Sequence, residues 1–245
     1  MKITKIDVYM LDAGAQRWQR KPVICRIYTD EGFYGDGEAG IALGTGATAA
    51  FGMVKDLAGL IIGMDPLNIE TIWNKMFKSS FWGMGGGAIV FAGISAIDIA
   101  LWDLKGKVLG VPCYQLLGGK FRSEMRAYAS QLQFGWCDIV YNARTPKDYK
   151  NITQHALDQG YDAVKIDFTQ IGLDGGHLPK SQCEGILTRP FMKMLDERMA
   201  AVRECGWEFD LIVENHCRTD AISAVMMGNF AISIRQWRLR SQPFL

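Results

Sequence analysis

The sequence predicts an α+β domain over residues 1–120 followed by a region of βα repeats over residues 121–245. Three observations carry that division. The first forty residues alternate polar and apolar side chains around turn residues, and residues 88–109 carry one long apolar helical stripe. After Leu117-Gly118-Gly119-Lys120 the pattern changes to short apolar runs alternating with helical ones. Such a rhythm implies parallel strands joined by crossover helices.

In chain order, residues 2–11 alternate, residues 22–29 form a run rich in Val, Ile and Tyr, and Asp30-Glu31-Gly32 supplies turn chemistry before Phe33-Tyr34-Gly35. These features predict an antiparallel meander. Residues 12–21 hold Gly14, Trp18 and three basic residues; they fit neither period and are too long for a tight hairpin, so they read as a loop. A helical pattern covers residues 45–62, and Asp65-Pro66 opens a second helix through Lys78, with proline suited to a first helical position. The cluster Gly83-Met84-Gly85-Gly86-Gly87 has neither G-x-G-x-x-G spacing nor a following Gly-Lys-Ser/Thr, and reads as a loop and helix entry rather than a phosphate cradle.

The helix over residues 88–109 places apolar residues at 90, 94, 97, 101, 104 and 108, which keeps one face buried. Gly110-Val111-Pro112 ends it. Asp98 and Asp103, five residues apart, do not share a helix face and read as structural partners of backbone or arginine groups. Beyond residue 120, strands are expected at 126–132, 163–168 and 210–215, and helices at 145–158 and 188–205.

Composition narrows the function classes. The chain has 245 residues, 49% hydrophobic and 22% charged, and its 27 basic against 26 acidic side chains leave a formal net charge of +1. That balance suits a globular core and leaves no surplus of positive charge for nucleic acid or an anionic membrane surface. The start alternates rather than forming a signal peptide, and no run approaches a membrane span, so a cytoplasmic protein is expected. The six cysteines form no C-x-x-C pair and read as reduced thiols, most of them filling core space.

The chemistry-bearing residues end the repeat strands. Lys165 and Asp167 are two residues apart, as are Glu214 and His216, so each pair is expected on one side of its strand. At the carboxyl rim of a parallel barrel these groups offer a proton acceptor, a hard oxygen ligand for Mg²⁺ and a proton donor. An ordinary surface ion pair is the alternative for Lys165 and Asp167, and a polar strand end for residues 214–216. His155, within a helix, and His177, beside Gly175-Gly176, have weaker claims.

Four stretches carry a family resemblance: Thr29-Asp30-Glu31-Gly32 through Gly35-Asp36-Gly37-Glu38, the helix segment 94–107, Leu116-Leu117-Gly118-Gly119, and Val164-Lys165-Ile166-Asp167. Over roughly residues 1–228 the chain resembles the mandelate racemase and muconate lactonizing enzymes of the enolase superfamily. The resemblance implies a capping domain over a modified TIM barrel, and Mg²⁺-assisted abstraction of the proton α to a carboxylate. Lys165 matches the first lysine of the family's K-x-K motif, and Asp167 stands where the second would be. Glu214 matches the first metal-binding carboxylate. His216 is similar to the histidine that acid-sugar dehydratases use as general acid. Trp18 and Trp82 fall in segments that look like the cap loops covering a sugar-acid substrate, and a homo-oligomer is expected.

The expected fold class is therefore an α+β capping domain followed by an incomplete α/β TIM-type barrel of about three βα units. A whole barrel takes about 250 residues, and residues 121–245 offer half that. Residues 234–240 depart from the family's approach to a fourth strand, so a truncated or frameshifted chain lacking a complete active site is expected. A Mg²⁺-dependent acid-sugar dehydratase is the leading reading. A racemase or epimerase of the same family, and a non-catalytic binding or assembly module, are the alternatives.

Overall fold

A computed structural model describes residues 1–12, 21–41, 45–81 and 83–241, with residues 232–241 described through the backbone alone. The chain divides into two compact units, Met1–Ser123 and Glu124–Leu245. No helix among the described residues is long and apolar enough to cross a membrane.

The first unit opens with a meander of β1 (Ile3–Met10), β2 (Val23–Thr29) and β3 (Tyr34–Ala39), antiparallel in the order β1-β2-β3. Strict alternation buries Val23, Cys25, Ile27 and Thr29 on one face of β2, the pattern of a sheet covered on one side. The cover consists of α1 (Ala47–Ile61), α2 (Ile69–Ser79) and α3 (Ala88–Leu109). Spacings of three and four on α1 bury Ala47, Ala50, Val54, Leu57 and Ile61, a stripe one helix face can supply. Helix α2 begins three residues later than expected. Asp65 instead forms a turn, accepting from the Leu67 N–H at 3.0 Å, because an aspartate bonds its own backbone two residues on.

Helix α3 spans the predicted residues. Gly110 at φ 67° ends it, donating to the Gly106 and Lys107 carbonyls, a left-handed cap that glycine adopts without strain. The short α4 (Cys113–Leu116) follows. Contact between α3 and β3 explains the Gly35-Asp36-Gly37 signature. A Cβ at Gly35 would lie 2.0 Å from the Ala100 carbonyl oxygen, and one at Gly37 2.0 Å from that of Ala96. Between them, the Asp36 N–H donates to Asp103 Oδ2 at 2.8 Å while the Asp36 carboxylate receives two bonds from Arg26. Asp103 is thus a partner of backbone, as expected.

The second unit is built on three parallel strands, β4 (Ala129–Ser130), β5 (Ala163–Asp167) and β6 (Asp210–Glu214), in that order. Helices α5 (Pro146–Asp158) and α6 (Arg189–Arg203) connect them in sequence. Val164, Ile166 and Phe168 pack with Tyr149, Ile152, Leu195 and Val202 of these helices. Helix α5 has a reciprocal cap: Thr145 Oγ1 accepts from the Asp148 N–H, and Asp148 Oδ2 accepts from the Thr145 N–H. That arrangement satisfies two otherwise orphaned donors.

The strand expected at 126–132 is corrected to two residues. Ala129 and Ser130 pair with Val164 and Lys165, after which Gln131 turns left-handed at φ 63° into a 3₁₀ turn, Leu132–Phe134. Before the strand, Arg126 is occupied elsewhere, bridging Asp162 at 2.9 Å and Asp210 at 2.7 Å ahead of β5 and at the start of β6. Beyond β6, α7 (Ala221–Ser241) takes up the residues that depart from the family pattern. Its start is fixed by Asp220, which accepts from the Ser223 N–H at 2.9 Å. The described cysteines are all free: Cys25 and Cys183 fill the cores, Cys113 and Cys205 are half-buried, and Cys137 and Cys217 are exposed, so core filling covers fewer of them than expected.

Candidate active site

Parallel pairing sets Asp167 opposite Glu214 and Lys165 opposite Ile212, bringing two of the predicted residues together. Lys165 Nζ lies 2.7 Å from Glu214 Oε2, with both side chains about a quarter exposed, and the Tyr128 ring sits 5.8 Å from the ammonium. Hydrogen bonding to Glu214 holds the Lys165 pKa above its ordinary value, and the same bond, with one from the His216 backbone, holds Glu214 below its own. A proton acceptor must be a neutral amine, and the bond to Glu214 favours the ammonium form of Lys165.

The opposing shifts set a pH window. Glu214, with its pKa depressed by folding, contributes stability that is complete above the ordinary carboxylate range and lost as pH falls through its folded value. Lys165, with its pKa raised, contributes below its unfolded value and loses that contribution as pH rises through the folded one. Glu214→Gln is therefore expected to lower the urea midpoint most near neutrality. The deficit should shrink once pH passes below about 4. A deficit unchanged across that range would mean that the loss does not come from the charge of Glu214.

Asp167 is placed differently from its neighbour. It is 1% exposed; its Oδ1 accepts from the Thr169 hydroxyl at 2.7 Å and the Thr169 N–H at 2.9 Å, and its Oδ2 is buried with no partner among the described residues. Loss of hydration pushes its carboxyl above the usual range, against the Thr169 bonds and the Arg218 charge. The expectation that Glu214 and His216 share one side of a strand is corrected. Strand β6 ends at Glu214, and His216 and Cys217 lie in a turn with φ of 46° and 56°. The turn forms because Glu214 Oε1 accepts from the His216 N–H at 2.9 Å and Asn215 Oδ1 from the Cys217 N–H at 3.1 Å. These local bonds replace the ladder. His216 is left exposed.

Trp18 and Trp82 lie outside the described residues. His155 pairs with Asp138 at 2.8 Å, and the exposed His177 ring lies 5.8 Å from Phe134. Neither joins the Lys165–Glu214 pair.

Sequence reasoning missed the polar framework behind the strand ends. Gln133 accepts from the Asp167 N–H at 3.1 Å and donates to Gln170 at 2.9 Å, all buried. Arg198, wholly buried on α6, donates to the carbonyls of Phe168 at 2.9 Å, Ile171 at 2.7 Å and Arg144 at 2.9 Å. Its guanidinium lies 5.0 Å from the Tyr149 ring, and desolvation lowers its pKa from the usual arginine value. An arginine within an apolar helical stripe is the one trace of this in the sequence.

These donors do not by themselves fit Mg²⁺. No three His, Cys, Asp or Glu side chains among the described residues are grouped to hold a metal ion. Both Glu214 oxygens are engaged, one by an ammonium and one by a backbone N–H, whereas octahedral Mg²⁺ takes several oxygens.

Residues 8–118 match the N-terminal domain family of mandelate racemase and muconate lactonizing enzymes. A D-galactonate dehydratase family member from Pseudarthrobacter chlorophenolicus is 32% identical over 93% of this chain and 56% of its own length. D-galactonate dehydratase from Variovorax paradoxus is 38% identical over 68% of this chain and 38% of its own. The crystal structure of an enolase superfamily member from Salmonella Typhimurium superposes with a TM-score of 0.87 at 45% identity, covering 94% of this chain and 58% of that one. The chain thus spans between about two fifths and three fifths of these relatives. Capping sheet, parallel strands and sequence agree with the enolase superfamily member along nearly the whole length of the chain, and residues 8–118 belong to the N-terminal domain family of mandelate racemase and muconate lactonizing enzymes.

Proposed function

We propose that this chain carries the cap and the opening barrel strands of an acid-sugar dehydratase, and that residues 1–245 by themselves do not complete the Mg²⁺ centre of that reaction. The observation that carries the reading is the Lys165–Glu214 pair at the carboxyl ends of adjacent parallel strands, the end at which barrel enzymes collect their reacting groups. The dehydratase names of the relatives support the sugar-acid substrate. In this reading Lys165 is a positive charge for an anionic substrate oxygen, and Glu214 contributes one oxygen of a larger carboxylate set. His216, exposed on its turn, is the proton donor for a departing hydroxyl. Asp167, closed off from solvent, takes no proton from substrate.

The test has two arms. Calorimetric titration of the 245-residue chain with Mg²⁺ is expected to show no tight stoichiometric site; finding one would overturn the incomplete-centre reading. Joining residues 1–228 to the remaining barrel of the Salmonella Typhimurium relative is expected to give Mg²⁺-dependent α-proton exchange of a sugar acid in D₂O, abolished by Glu214→Gln. A folded fusion silent across a broad sugar-acid panel would remove the dehydratase reading.

A further inference from the structure

Two buried polar atoms, Asp167 Oδ2 at the end of β5 and Arg218 Nε beyond β6, have no hydrogen-bond partner among the described residues and belong to side chains of opposite charge. They belong to one connected cluster. Asp167 Oδ1 holds the Thr169 hydroxyl at 2.7 Å, the Thr169 carbonyl faces Cys183 Sγ at 3.8 Å, and that sulfur lies 3.9 Å from Arg218 Nη2. Arg218 Nη2 also donates to the Leu178 carbonyl. The charge of Arg218 reaches Asp167, yet the two make no direct ion pair. Arg218 closes the turn that begins at Glu214, its N–H donating to the Asn215 carbonyl at 2.9 Å. The same turn holds His216 and Cys217 in left-handed backbone, a conformation that persists in such residues only when surrounding contacts impose it.

We propose that Arg218 is the positioning residue for the turn that carries His216, and that Asp167 is its buried counter-charge, joined to it through an internal water that donates to Oδ2 and accepts from Nε–H. Water is the small group with both capacities, and buried waters settle on otherwise unsatisfied polar atoms. Asp167, which its sequence position offers as a proton acceptor, becomes part of the scaffold. The importance of this turn for catalysis rests on the reading of His216 as proton donor; the positioning itself does not.

Hydrogen exchange by NMR on the 245-residue chain tests it. Arg218→Met is expected to speed exchange of the His216 amide at least tenfold while amides within α5 keep their rates. Asp167→Asn should speed the same amide, and the double variant should exchange no faster than the faster single, as coupled sites require. Unchanged His216 exchange in a folded variant, or independent multiplying effects, overturns the proposal. Should Arg218→Met fail to fold, Arg218→Lys keeps the charge but not the planar donor set, and wild-type exchange there overturns it equally. In an active fusion, Arg218→Lys is expected to lower kcat with KM unchanged. An inactive fusion would count against the dehydratase reading alone, because the exchange experiment needs no turnover.

Discussion

Gly37→Ala is expected to destabilise the first unit by about 3 kcal/mol or more, at the upper end of overpacking effects. The new methyl would sit 2.0 Å from the Ala96 carbonyl oxygen and 2.7 Å from the Ala100 nitrogen. Both atoms are helix backbone, so no side-chain rotation relieves the overlap. Either α3 withdraws from β3, taking Ile97, Leu101 and Leu104 out of the core they share with Val23, Cys25 and Ile27, or the meander bends. Withdrawal also breaks the Asp36–Asp103 bond. Urea denaturation followed by circular dichroism measures the loss. Gly52→Ala on α1, where an added Cβ meets nothing within 4 Å, is the matched control and should be neutral or stabilising by up to about 1 kcal/mol. Equal midpoints for Gly37→Ala and wild type would mean that the close approach is not required.

Replacing Arg198 with methionine is expected to cost the second unit about 3 kcal/mol or more. Breaking a buried charged hydrogen-bond set is penalised chiefly by the partners left behind, and three carbonyls lose their donor at once. Two of them, Phe168 and Ile171, shape the loop that follows β5. Loss of Arg198 should therefore loosen Thr169 and Gln170, which hold Asp167 and Gln133, before it loosens the helices. Lys193→Met, on an exposed position of the same helix, should change the urea midpoint by no more than about 0.5 kcal/mol. If Arg198→Met melts as wild type does, the three carbonyls have found other donors and the arginine is not the anchor of this loop.

Much of the fold is legible from local pattern. Strict alternation from Val23 to Thr29 follows from burial of one sheet face, and the three-and-four spacing of α1, the Thr145-Pro146 opening of α5 and the glycine ending of α3 each satisfy their own backbone within a few residues. Composition and spacing therefore suffice to read them. The sequence pairs Lys165 with Asp167 and Glu214 with His216, whereas the parallel register sets Lys165 against Glu214.

Misplacements occur where side-chain hydrogen bonds, distant or local, override the strand or helix period. Residues 126–128 have strand-like composition, but Arg126 bonds Asp162 and Asp210, 36 and 84 residues away, and only Ala129 and Ser130 pair. Residues 214–216 alternate like a strand end, yet Glu214 and Asn215 turn back onto their own backbone.

Residue types and periods thus establish most of the elements, because those follow from hydrogen bonds and burial within one segment; the family rests on the resemblance of whole motifs, and the pairing of Lys165 with Glu214 rather than Asp167 is decided by the parallel register. The roles of Gly37, Asp167, Arg198 and Arg218 are decided only in the folded chain. Each depends on atoms brought together across 30 to 60 residues, and a buried polar group takes its meaning from the partners that replace its water.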